Sequence, residues 1–195
     1  RYLLQTVTGQ ERGTPAGVLY FYGESLKLLE RRVVDNYPFD PRTRPWFKLA
    51  MHSDGIKVTL PYVLFSTKDI GVTIGVRTAR GDAVIAMDVT VNDLSRLLAS
   101  LRITPASEIA IVDQTNSVVA YPDQGRLFVN EKEHSRLTSL AELGIPVFDY
   151  LVSNNISKDV LISFNDSDKD WYGLIAPVSD FASINFNILI AILSR

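Results

Sequence analysis

Cysteine is absent from the 195 residues, which removes disulfides, thiolate nucleophiles and zinc-thiolate sites together. That absence fits an oxidising envelope compartment as well as a reducing cytosol. Only two histidines occur, His52 and His134, and they are not at metal-ligand spacing. Each is read as an ordinary surface or half-buried side chain, and no metal site is expected. No charge sign dominates, since 20 Lys and Arg face 22 Asp and Glu for a net charge of −2. With no run of like charge, nucleic acid is not an expected ligand. No apolar run approaches the roughly 18 to 20 residues that span a bilayer, and the most apolar stretch, Ile184 to Leu193, reads as a buried strand. No Ser, His and acid set stands at a recognisable spacing, and the carboxylates are too dispersed to nominate a catalytic pair. Neither enzyme activity nor a cofactor is expected.

Several weaker patterns fall for physical reasons. Asp166, Asp168 and Asp170 alternate like the start of a calcium loop, but the sixth position is Trp171 and the twelfth is Pro177, so a solvated hairpin tip is expected. Gly71, Gly75 and Gly81 lack the strand-to-helix setting of a phosphate loop. Asn155-Ile156-Ser157 and Asn165-Asp166-Ser167 match a glycosylation pattern short enough to arise by chance.

What is present is a folding composition, 46% hydrophobic and 22% charged, in a chain long enough for one large or two small domains. It opens at Arg1-Tyr2-Leu3-Leu4 without an initiator Met or a signal-like segment, as an excised piece of a longer chain would. Strands are expected over Tyr2–Val7 and Ala16–Tyr22, with a turn at Gly9–Gly13. Leu26–Val34 mixes helical spacing with β-branched residues and is taken as a strand. Pro45 is placed to open a short helix, Trp46–Met51, that stops near Asp54-Gly55. Val58–Phe65, Val72–Thr78 and Ala83–Val89 read as a three-strand meander, followed by an amphipathic helix from Val91 capped by Asn92 or Asp93. The pattern then restarts, with strands at Glu108–Asp113 and Val118–Tyr121, a helical stretch around His134–Leu143, and strands near Val160–Phe164, Trp171–Val178 and Ile184–Leu193. Both halves read as an antiparallel sheet with helices on one side, two α+β units in tandem divided near Leu101.

Three blocks carry chemical content. In Asp40-Pro41-Arg42-Thr43-Arg44-Pro45-Trp46-Phe47 two prolines stiffen one turn, because the residue before each is pushed out of the helical region. Leu60-Pro61-Tyr62-Val63 and Val84-Ile85-Ala86-Met87-Asp88-Val89 follow. Arg44 offers a planar fork of donors that suits a carboxylate, Trp46 and Tyr62 supply flat walls with polar tips, and Asp88 accepts from a donor. The same residues admit a structural account. Asp40, Arg42 and Arg44 would then pin the turn by salt bridges, Trp46 would be core, and Asp88 would cap the helix that follows.

In these blocks the sequence resembles the double Cache sensor family, whose signature is Asp-Pro-Arg-x-Arg-Pro-Trp-aromatic, then Pro-Tyr, then a strand ending in Asp. The likeness is good over residues 1 to 100, while the second half resembles a membrane-proximal lobe only in its order of elements. The resemblance implies an α+β fold of two tandem PAS-like Cache lobes, each an antiparallel sheet with flanking helices. Residues 1–101 would be the membrane-distal ligand-binding lobe and 102–195 the membrane-proximal lobe, normally joined by a long N-terminal helix that is missing or mostly missing here. It also implies a periplasmic or extracellular sensing domain of a bacterial membrane receptor, tethered through segments outside this chain and weakly homodimeric through that helix. The ligand would be a small polar or carboxylate-bearing molecule. Carried over by motif, Arg44 and Trp46 hold the carboxylate, and Tyr62 and Asp88 complete the site, while Asp40 and Arg42 stay structural. Two positions depart from the amino-acid binders of the family. Phe39 replaces a tyrosine, and Leu64 replaces an acid, which removes a partner for a ligand ammonium. The alternative from another class is a ligand-free dimerising module that relays a partner protein's signal, with Arg44 and Trp46 as internal struts.

Overall fold

The computed structural model describes residues 2–8, 16–35, 37–130, 135–154, 156–166, 168–178 and 186–194. The expected Gly9–Gly13 turn, His134, Asn155 and Ser167 lie outside these residues. By compactness the chain divides into Arg1–Lys48 and Leu49–Arg195.

In the first unit, runs rich in apolar, aromatic and β-branched residues build three antiparallel strands, β1 (Tyr2–Thr8), β2 (Ala16–Tyr22) and β3 (Leu28–Val34), ordered β1-β2-β3. The Leu26–Val34 segment is a strand because Leu26 takes a left-handed φ of 58°, which closes a turn and cannot start a helix. After β3 the chain forms a single 3-10 turn, Pro41–Thr43, and then α1 (Pro45–Met51), with Pro45 at the position where a missing N–H costs nothing. The boundary between the two units falls within α1.

The second unit holds two sheets. The first contains β4 (Ile56–Val58), β5 (Tyr62–Val63), β6 (Ile70–Arg77) and β7 (Val84–Thr90), all antiparallel to β6 where they pair with it. The unbroken strand expected over Val58–Phe65 is corrected here. β4 and β5 lie end to end on one edge of β6, because β7 occupies the other along its length. The break falls at Leu60-Pro61, where proline has no N–H to give a ladder.

α2 (Val91–Ser100) follows β7 directly. Its cap is Thr90, not Asn92 or Asp93 as expected. Thr90 Oγ1 accepts from the Asp93 amide at 3.0 Å and donates to Asp93 Oδ2 at 2.6 Å, so the cap is held by both the backbone and the side chain of Asp93.

Beyond α2 come β8 (Glu108–Val112), β9 (Val118–Ala120), β10 (Phe128–Asn130), β11 (Ser135–Leu137), α3 (Leu140–Leu143), α4 (Pro146–Ser153), β12 (Ile162–Asp166), β13 (Lys169–Pro177) and β14 (Asn187–Leu193). Within the helical stretch expected around His134–Leu143, Ser135–Leu137 is instead a strand paired with β10, and only Leu140–Leu143 is helical, a single turn. Ser139 and Glu142 cap that turn reciprocally, and Gly144 ends it at φ 62°, a conformation glycine adopts without strain. Within the stretch expected as a strand over Ile184–Leu193, Asn187–Leu193 is β14, the central strand of a five-stranded sheet ordered β12-β13-β14-β8-β9, and Ile184 lies outside the described residues. Asp166 pairs with Lys169 across the β12–β13 hairpin, so the aspartates there form a hairpin tip.

This sheet carries helices on both faces, not on one. Leu98 of α2 packs with Ile109, Ala120, Ile188 and Ile190, while Phe148 and Leu151 of α4 pack with Ala110, Leu189 and Ala191. The alternation along β8 and β14 explains the arrangement, since successive side chains enter opposite layers. Val72, Val89 and Leu94 meet Ile111, Val119 and Phe186, so an apolar seam joins the two sheets, and Leu101 lies where α2 gives way to the second.

Phe148 is fully buried, and Phe148→Ala is expected to cost about 3–5 kcal/mol in urea unfolding. Leu97→Ala, at a 56% exposed position, should stay within about 0.5 kcal/mol. Glu142 is held below its ordinary value of 4.5 by the Arg136 guanidinium and then by the Ser139 amide and hydroxyl. A carboxyl lowered in the folded state gives stability that is present above its ordinary value and lost as pH falls through the folded one. Glu142→Gln should therefore flatten the acid limb of stability below pH 4.5; an unchanged limb would contradict this role.

Candidate ligand-binding site

The stiff turn in the first unit is built as its prolines require. Asp40 Oδ1 accepts from the Arg42 amide and Nε, both at 2.9 Å, and Oδ2 accepts from Arg42 Nη2 at 2.7 Å. Hydrogen bonds from Arg42 hold the Asp40 carboxyl below its ordinary range. Thr43 Oγ1 donates to the Asp40 carbonyl at 2.8 Å, and the Arg44 amide donates to Pro41 O at 3.0 Å. Asp40 and Arg42 therefore close the turn on itself, the structural role expected of them. Arg44, Trp46 and Phe39 are each half-buried in this unit. Arg44 sits where the 3-10 turn meets α1, its carbonyl accepting from the Lys48 amide at 3.2 Å. The Trp46 ring stands edge-on to Phe47 at 5.7 Å, and Phe39 edge-on to Tyr37 at 6.5 Å.

In the second unit the break in the β6 edge decides which way Tyr62 faces. Val58 opposes Ile74 and Tyr62 opposes Gly71, so four steps on one strand answer three on the other. This is a bulge of one residue, and such a slip moves every later side chain to the opposite face. Without it Tyr62 would share a face with Ile74 and Ile70. With it Tyr62 joins Gly71, Thr73 and Gly75.

On that face Thr73 stands directly opposite Asp88 of β7. Its Oγ1 lies 2.5 Å from Tyr62 Oη and donates to Asp88 Oδ1 at 2.6 Å. The Thr73 amide donates to Thr59 Oγ1 at 3.0 Å, and the Thr59 amide donates to the Thr73 carbonyl at 3.1 Å. Thr73 is 1% exposed, whereas Asp88 is exposed and Tyr62 half-buried. Around them the face is trimmed with small residues. Gly71 opposes Thr90 and Gly75 opposes Ala86. A Cβ on Gly71 would meet Val89 O at 2.6 Å and Leu64 Cδ1 at 2.9 Å, so only glycine allows these strands to close beside Tyr62. Leu64, the position that carries an acid in amino-acid binders, is 1% exposed and serves as packing.

The structure thus joins Tyr62 and Asp88, through a residue that sequence reasoning missed. Thr73 sits in a β-branched run where threonine is an ordinary strand former; its one signal is the cross-strand register to Asp88. Asp88 does not cap α2, since Thr90 does. A polar concavity of about 430 Å³ lies between Ser53–Gly55 and Arg77–Gly81. Its arginines are paired with carboxylates of this chain, Arg77 with Asp54 at 3.0 Å and Arg80 with Asp82 at 3.2 Å, so it is the weaker candidate.

No family model matches the chain. Adenylate cyclase 1 of Rhizobium meliloti is 28% identical over 123 residues, 62% of this chain and 18% of that protein. The methyl-accepting chemotaxis protein McpB of Bacillus subtilis is 33% identical over 84 residues, 43% of this chain and 13% of that protein. The chain therefore spans less than a fifth of these curated relatives. Among solved structures, the ligand-binding domain of the Pseudomonas aeruginosa amino acid chemoreceptor PctB, in complex with L-Arg, superposes with a TM-score of 0.56 at 18% identity, covering 98% of this chain and 72% of that one. The corresponding domain of the Campylobacter jejuni chemoreceptor Tlp3, in complex with 4-methylisoleucine, gives 0.55 at 20% identity, covering 98% and 65%. The chain has the mixed α/β, antiparallel fold of these chemoreceptor ligand-binding domains, the architecture that the resemblance implies.

Asp88→Ala would leave the buried Thr73 proton without its acceptor and is expected to cost about 1–3 kcal/mol. Tyr62→Phe removes one neutral bond and should cost about 0.5–1.5 kcal/mol. Urea unfolding reads both; an Asp88→Ala effect within the roughly 0.5 kcal/mol typical of surface changes would remove Thr73 as its partner.

Proposed function

We propose that the chain is the extracytoplasmic sensing domain of a transmembrane signalling protein, binding a small polar, carboxylate-bearing metabolite without performing chemistry on it. One observation carries this reading: Tyr62 and Asp88, far apart in sequence and both assigned by family motif, share a hydrogen-bond chain on a sheet face trimmed by Gly71, Gly75 and Ala86.

In this reading residues 1–101 form the membrane-distal, ligand-binding lobe and 102–195 the membrane-proximal one. In support of that division, the sheet over 56–90 and the sheet over 108–193 share no strand. By motif, Arg44 and Trp46 are the residues proposed for the ligand carboxylate, with Phe39, Tyr62 and Asp88 as the further ligand-binding residues. The solved relatives titled with L-Arg and 4-methylisoleucine bear on the ligand class, but the buried Leu64 leaves an α-ammonium one partner short. The membrane tether and the output domain belong to segments outside this chain; no helix among the described residues is long and apolar enough to cross a membrane. A weak homodimer through the N-terminal helix completes the proposal. Binding drives the output only by the difference in affinity between two states of the domain.

A thermal-shift screen against carboxylates, amino acids, amines and sugars tests this, repeated with Arg44→Ala. A specific ligand at a hundred times its Kd adds about 2.7 kcal/mol, a shift of several degrees for a chain of this size. Carboxylates should raise Tm in the native chain and not in Arg44→Ala. No shift across the library, or equal shifts in the variant, would count against the reading.

A further inference from the structure

The outer edge of β3 lies apart from the candidate site. β3 ends the β1-β2-β3 sheet, and among the described residues nothing pairs with its far side. Leu29 is 58% exposed and Val33 49%, so two large apolar side chains flank the exposed Glu30, Arg31 and Arg32. Such an edge is a template for another strand. Charge of any pattern would guard it, but here the order of the charges matters. Two copies that pair antiparallel about a two-fold axis need that axis normal to the sheet, so opposed side chains lie on one common face. Residues then oppose one another only when their numbers have the same parity, and the axis falls on a residue. A bulge, where Leu28 opposes Tyr22 while Glu30 opposes Phe21, confines regular alternation to residues 29–34. An axis at Glu30 or Arg32 sets that charge against itself, and one at Leu29 or Val33 sets Glu30 or Arg32 against an apolar side chain. An axis at Arg31 sets Glu30 opposite Arg32 of the second copy and Leu29 opposite its Val33, each pair occurring twice. Within one chain Arg32 Nη2 donates to Glu30 Oε1 at 2.8 Å, so the four charges alternate in sign around one face. Arg31 alone meets its like, and on that face its guanidinium is drawn over the Tyr20 ring, 5.9 Å from the centroid, which offsets the repulsion.

We infer that β3 is a self-docking edge, on which a second copy of this chain pairs antiparallel about a two-fold axis at Arg31, joining two three-stranded sheets into one of six strands. The occupant is a second copy because the charges cancel only against their own sequence run backwards. The contact goes beyond the sensing function and does not depend on it. It is also separate from the homodimer through the N-terminal helix.

Disulfide trapping on the whole chain tests this. The sequence has no cysteine, so one introduced thiol reports one position. Directly opposed Cα atoms stand about 4.5–5.5 Å apart, within the roughly 4.4–6.8 Å that a disulfide spans. Leu29 and its own copy would lie about 13 Å apart along the strands. Each cross-linking rate is divided by the same thiol's rate with a small disulfide, which removes differences in thiol reactivity. Arg31→Cys should then dimerise about tenfold faster than Leu29→Cys or Val33→Cys alone, and mixing those two should raise their rate several-fold through mixed dimers. Equal rates at all three positions with no gain on mixing mark random collision and overturn the contact. A fastest rate at Leu29→Cys or Val33→Cys overturns the register. In the Arg31→Cys chain, adding either Glu30→Arg or Arg32→Glu sets like charges opposite one another and should slow trapping about tenfold. Mixing these two variants should restore the rate to within about threefold, because each supplies the charge that the other lacks. Single variants that trap at the original rate, or a mixture as slow as its components, overturn the charge pairing on which the inference stands.

Discussion

A proline that cannot enter a ladder sets the geometry on which the site depends. Because Pro61 gives no N–H, the strand running from Ile56 toward Val63 slips by one residue against β6, and Tyr62 changes faces. That slip places its hydroxyl over Thr73 instead of among Ile70 and Ile74. The cross-strand register of β6 and β7 then delivers Asp88 to the same spot from the other side. Three side chains meet by two independent strand pairings, which is more rigid than any loop could be.

Polar groups packed this closely in a sheet are stable only when every proton has an acceptor. Here the exposed carboxylate of Asp88 terminates the chain, Thr73 transmits it, and Thr59 secures the backbone that carries Thr73. The glycines at 71 and 75 keep the neighbouring space clear, and α1 uses part of it, with Ala50 resting 3.5 Å from where a Gly75 Cβ would stand. The fully buried Ala50 closes one side of the face without filling it. In the first unit the same economy holds differently: Asp40 and Arg42 satisfy each other, so the turn is rigid before any ligand arrives.

Much of this was legible in the sequence because strong local rules point one way. Two prolines around Arg44 fix the turn, β-branched runs mark β6, β7 and β14, and the order of blocks carries the resemblance to a double Cache sensor. Other features were hidden by short range. The β10–β11 hairpin has strands of three residues, too short for alternation to register. α4 has no side-chain cap at Ile145, so the usual start signal is missing and only Pro146 marks it. The bulge at Leu60-Pro61 is invisible because the flanking residues remain strand formers on either side of it. Thr73 reads as filler for the same reason: its function comes from register, and register is a property of two strands, not of one.

The central claim is that a small molecule binds on the face shared by Tyr62, Thr73 and Asp88. A crystal structure of the chain soaked with the first compound found to stabilise it tests that claim most directly. Density for the compound should touch Tyr62 or Asp88, with Thr73 still bonded to both neighbours. A compound lodged elsewhere, with Tyr62 and Asp88 untouched, would contradict it.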